Sequence, residues 1–85
     1  MGKETDRVVT AIEEVRSLWG ISVAKLARRI GVDRKRLWYV LNGQRTMRVD
    51  EFLKLCVALR MDPRSFITKD MVEEILAARK RKKRK

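Results

Sequence analysis

The chain has 85 residues, a formal net charge of +11, one cysteine and no histidine. A single cysteine rules out an internal disulfide, and without histidine no credible zinc ligand set remains. No apolar run approaches the roughly 20 residues that span a bilayer and the N-terminus is polar, so neither membrane insertion nor secretion is expected.

Helical periodicity runs throughout, and no Val/Ile/Thr alternation is long enough for a strand. Thr5 or Asp6 is expected to cap a first helix whose apolar face is Val8, Ile12, Val15 and Trp19, with Trp19 in the core and Gly20 as the stop. Ser22 caps a second, short helix that buries Val23, Leu26, Ala27 and Ile30, and Gly31 ends it in the left-handed region that a Cβ would penalise. Asp33 caps a third, which turns Leu37, Val40 and Leu41 inward and leaves through Asn42-Gly43. After the loop Gln44 to Met47, a fourth helix over about Val49 to Leu59 carries the stripe Phe52, Leu53, Leu55, Cys56 and Leu59, with Cys56 an inert small hydrophobe. Asp62-Pro63, a cap followed by proline at the first helical position, opens a short turn that delivers Phe66 to the core.

Beyond Ile67, Asp70 with Glu73 is expected to open a C-terminal helix by a capping box, and like charges fray it beyond Arg79. Met71, Val72, Ile75 and Leu76 make a narrow apolar stripe, too small to fold alone. It docks either on the body or on a second copy, and the second is favoured. The expected organisation is a domain over residues 1–67 and an amphipathic helix with a basic tail over 68–85.

Seven of the net positive charges belong to Arg79–Lys85, leaving +4 for the rest. That remainder is clustered. Arg28, Arg29, Arg34, Lys35, Arg36, Arg45 and Arg48 share their stretch with one acid, Asp33, the footprint of a phosphate binder. The tail reads as a non-specific DNA clamp, and by composition equally as a localisation signal or an RNA-binding tract.

Within SVAKLARRIGVDRKRLWYVLNG, Ala27, Gly31 and Leu37 stand at helix-turn-helix spacing: small where two helices cross, permissive at the bend, apolar in the angle between them. With DRKRLWYVLNGQR and VDEFLKLCVALRMDPRSF following in order, residues from about Val8 to Ile67 resemble the lambda repressor and Cro superfamily, specifically the small Xre-type regulators of bacteria and phages. The resemblance implies an all-α, compact five-helix domain, here with an additional C-terminal basic helix or tail. It also implies double-stranded DNA as partner, a homodimer on operator-like sites, and transcriptional regulation, most simply repression.

Carried over by position, the resemblance puts base reading at Arg34, Lys35 and Tyr39, with Arg36 and Trp38 nearby, Tyr39 toward DNA and Trp38 at the edge. Ser22 and Asn42 match positions that hold the phosphate backbone, Gln44 and Arg45 lie in the loop that often does so, and Arg28 and Arg48 add charge. A dimer seam is expected at Met71, Val72, Ile75 and Leu76. Arginine and lysine reach guanine O6 and N7, so half-sites containing G are expected. The chain departs from the family at Val23, where Gln is common, at Leu41 and Met47-Arg48, and at Arg60, which replaces a common Gly and implies either a left-handed arginine or an altered turn.

Other readings stay open: an antitoxin or protein-interaction module with autoregulatory DNA binding, or an RNA-binding protein, though the few aromatics offer no stacking platform. An enzyme is not expected, since the chain lacks histidine, a Gly-rich phosphate loop and the length to wall off a reaction. Neither a cofactor nor a small-molecule ligand is implied. The expected location is the cytoplasm, on the nucleoid.

Overall fold

The computed structural model describes residues 3–82, and among them every regular element is helical. Helices α1 (Lys3–Leu18), α2 (Val23–Ile30), α3 (Arg34–Leu41) and α4 (Val49–Ala58) are followed by a 3-10 turn, Pro63–Phe66, and by α5 (Lys69–Lys82). This is the all-α fold expected from the periodicity. Helix α2 packs on both α3 and α4, and α1 closes over α3. At the centre Ile12, Leu26, Leu37, Val40, Leu55 and Leu59 are fully buried, one or two from each of the four helices and from the exit of α4.

One device ends all four of these helices. After α1, the Ile21 amide donates to the Arg16 carbonyl at 3.1 Å and the Gly20 amide to Ser17 at 3.0 Å; the long bond of the pair recurs from Val32 to Ala27, Gln44 to Tyr39 and Met61 to Cys56. Each needs a residue of positive φ at the turn. Glycine supplies it at Gly20, Gly31 and Gly43, but after α4 the position is Arg60, at φ 55°. Of the two outcomes expected there, the chain adopts the left-handed arginine.

The starts of α2 and α3 follow the sequence closely. Ser22 Oγ accepts from the Lys25 amide at 3.1 Å, and Asp33 Oδ2 from the Arg36 amide at 3.1 Å. Asp62 Oδ1 accepts from the Arg64 amide at 2.9 Å to open the 3-10 turn, which buries Phe66 edge-on against Phe52, ring centroids 5.4 Å apart. Arg48, which has no side-chain acceptor, is nonetheless the cap of α4. Its amide donates instead to Glu51 Oε1 at 2.8 Å, the half of a capping box that a cationic cap residue can still use.

Several expectations about helix ends and the α1 face need correction. Helix α1 runs from Lys3, ahead of Thr5 and Asp6, and its buried side chains are Val9 and Ile12, with Val8 and Val15 at the margin. Trp19 is 48% exposed, because the chain bends at Gly20 and the next core position goes to Ile21, whose carbonyl accepts from Arg16 Nη1 at 2.7 Å. Helix α5 is capped by Thr68, which accepts from the Met71 amide at 3.2 Å, so Asp70 falls in the first turn rather than at the cap. The same helix continues past Arg79 to Lys82, where cations favour the negative end of the dipole; residues 83–85 of the basic tail lie outside the described residues.

Candidate nucleic-acid interface

Burial of Leu37, Val40 and Leu41 decides which way the rest of α3 points. At about 100° per residue the opposite arc carries Lys35, Trp38 and Tyr39, the first two exposed and Tyr39 half-buried, while Arg34, in the first turn, is exposed at the edge of that arc. Trp38 is 47% exposed and meets Tyr39 edge-on at 5.3 Å, and the Arg45 guanidinium sits 5.8 Å from the Tyr39 ring centroid. Aromatic edge contact and a cation over the ring hold this end of the surface in one arrangement. Leu53 of α4, placed in the inward stripe by the sequence, is 47% exposed, because it lies about 100° round the helix from Phe52 and off the arc of Leu55, Cys56 and Leu59.

The surface is a cleft, not a flat wall. Ser22, Val23 and Ala24 at the start of α2 form one side, and Arg34, Lys35, Trp38 and Tyr39 of α3 the other. Ser22 Oγ is taken as an acceptor by the helix cap, yet its hydroxyl proton remains to donate outward. The first amides of α2 open at the same edge, where a helix favours anions. Val23 and Ala24 contribute an apolar patch to the wall, a feature that the polar and charged candidates of the sequence did not include.

Arg36 does not belong to this surface. Its Nη2 donates to Glu51 Oε1 at 2.9 Å and to the Thr46 carbonyl at 3.2 Å, and its Nε completes a bidentate pair with Glu51 Oε2. The expectation of a free, base-reading guanidinium at Arg36 is thereby corrected. Two residues beyond Arg34, it lies about 200° round the helix and faces α4. The Arg36 hydrogen bonds hold the Glu51 carboxyl below the ordinary carboxylate range against the opposing cost of burial, with the Arg48 amide adding to the effect. Glu51, 3% exposed, is a framing residue missed in the sequence; its place three residues after Arg48 was the available signal.

The remaining candidates do not line the cleft. Asn42 is exposed at the end of α3 and donates Nδ2 to the Trp38 carbonyl at 2.7 Å, which leaves its carbonyl oxygen and second amide proton outward. Gln44, Arg45, Arg28 and Arg48 are exposed. Cys56 is buried, and burial pushes its thiol up, consistent with an inert core residue. Of the expected seam, Val72, Ile75 and Leu76 are exposed, whereas Met71 is half-buried with its sulfur 3.8 Å from Arg7 Nη2. Among the described residues no helix is long and apolar enough to cross a membrane, and no group of three or more acidic or sulfur ligands could hold a metal.

A capped α2, a left-handed turn at Gly31 and a capped α3 with a cationic outer face make up a DNA-binding helix-turn-helix. Comparison with curated proteins and with solved structures finds no match to either. A family model for a helix-turn-helix domain matches residues 7–65, more than half of the chain and the stretch from α1 through the 3-10 turn. The chain belongs to the helix-turn-helix domain family.

Proposed function

We propose that the protein is a homodimeric, sequence-specific repressor of transcription that inserts α3 into the major groove of double-stranded DNA. The observation that carries this reading is the exposure of Arg34, Lys35 and Trp38 beside the open start of α2. A major groove about 12 Å wide admits one helix, and an arginine or lysine near its N-terminal end reaches the O6 and N7 of guanine. Arg34 and Lys35 read bases, with Tyr39 and Trp38 at the flank. Ser22, Asn42, Gln44, Arg45, Arg28 and Arg48 hold phosphates on either side.

Two copies joined through the exposed stripe of α5 present their α3 helices to successive grooves about one helical turn apart. Repression follows where such a site overlaps a promoter. No catalytic step and no cofactor enters this reading. Titration of a selected duplex against random duplexes at two salt concentrations tests it. The expected result is a preference for the selected duplex that persists at the higher salt while overall affinity falls; equal affinity for every sequence at both concentrations contradicts it.

A further inference from the structure

The α2–α3 cleft is cationic and polar except along one strip. Val23 and Ala24, the first residues of α2, share it with the indole of Trp38 on α3. Val23 is half-buried and packs inward against the core, which fixes its position in the wall. Trp38 leaves 47% of its surface in water, with its ring set edge-on to Tyr39. Beside these apolar atoms, the polar atoms of Arg34, Lys35 and the Trp38 indole are all donors. A ligand that fits the strip therefore brings a small apolar group next to a hydrogen-bond acceptor. In the major groove one base presents that pair: thymine, whose C5-methyl stands beside O4. Cytosine carries the N4 amine there, a donor that meets donors even when its own C5 is methylated.

We propose that Val23, Ala24 and Trp38 seat the C5-methyl of a thymine, which makes the first turn of α2 a specificity element and not only a phosphate anchor. The inference rests on the major-groove reading above and adds a base to it. Trp38 lies four residues beyond Arg34, about 6 Å further along α3, and successive base pairs stand about 3.4 Å apart, so the thymine falls about two steps from the guanine of Arg34. One methyl moved from water onto the strip is worth about fourfold in affinity.

The test uses the full chain and its selected duplex, with each thymine replaced in turn by deoxyuridine, which removes the methyl and keeps the pairing. One replacement, about two steps from the guanine, should weaken binding about fourfold, the others leaving it about unchanged. Trp38→Ala and Val23→Thr, each checked for helical circular dichroism, should bring the thymine-to-deoxyuridine ratio at that step to about one; the deoxyuridine series itself requires no variant. A 5-methylcytosine pair at the same step should bind more weakly than the thymine pair. A wild-type chain that prefers the selected duplex yet is indifferent to every deoxyuridine overturns the methyl seat and leaves the strip against deoxyribose. A methyl effect that both variants retain overturns the assignment to these side chains, and 5-methylcytosine bound as tightly as thymine overturns the choice of base. Absence of any preference for the selected duplex overturns the base-reading function itself.

Discussion

Arg34 and Arg36 are the same residue type two positions apart on α3, and the fold gives them different work. Arg34 stands in the open cleft, whereas Arg36 is bound to Glu51 and the Thr46 carbonyl. Arg34→Ala should relax base preference at one position of the half-site, by about 1–3 kcal/mol of discrimination, with little change in thermal midpoint. Arg36→Ala should do the reverse: a lower midpoint, with base preference unchanged. Arg45→Ala should weaken all duplexes about equally and reduce the log–log salt slope by about 0.9, the loss of one neutralised phosphate. Binding to a panel of single-base variants, with a melting curve for each protein, checks all three.

Glu51 carries a pH dependence of definite sign. Its carboxyl titrates below the ordinary 4.5 in the folded chain, so the pair contributes fully above that value and its contribution is lost as pH falls through the lowered one. Glu51→Gln removes this part of the acid sensitivity. Melting midpoints between pH 7 and 3 should converge for variant and wild type at the acid end, with the variant about 1–3 kcal/mol less stable at pH 7. At this scale the sequence was legible wherever a residue acts on near neighbours. Ser22 and Asp33 cap their helices because the hydroxyl and carboxylate reach an amide three residues on. Arg36 with Glu51 spans 15 positions, and nothing local distinguishes that arginine from Arg34.

The helices share one way of stopping, and it carries a prediction at the level of the element. Three of the four turns use glycine, and α4 holds Arg60 at φ 55° instead. A side chain in that region costs about 1–2 kcal/mol, part of it offset by the greater backbone freedom that glycine loses on folding. Arg60→Gly should therefore raise stability by about 0.5–1 kcal/mol, measured by chemical denaturation, without altering DNA binding. A lower stability would mean that the arginine side chain contributes more at the end of α4 than its backbone costs. The glycines and Asp62-Pro63 made helix ends readable, since each answers a steric demand of a single bend. Trp19 was misplaced because a helical wheel assumes that the helix goes on, and α1 has stopped at Leu18. Thr68 was missed because Asp70 and Glu73 imitate a capping box two residues later.

As a whole the molecule is a small helical body with α5 extending from it, 50 Å in its longest dimension and 18 Å in its shortest. Its basic residues divide by location. Arg34 and Lys35 line the cleft, Arg36 is paired with Glu51 and Arg29 lies against α4, while Arg79 to Lys82 form the end of α5. The overall charge was plain in the composition, and so was the all-helical class. Which apolar residues of α4 and α5 would stay uncovered was not, because a stripe that packs at home and one that awaits a second copy have the same periodicity.

On the proposed reading, the outer arc of α3 reads base edges. Selection of bound duplexes from a random pool with the full chain tests it most directly. The expected result is enrichment of a two-fold repeated half-site containing G, the repeats about one helical turn apart, with the G preference lost in Arg34→Ala. Recovery of duplexes no different from the starting pool, or an enriched motif that Arg34→Ala leaves unchanged, contradicts it.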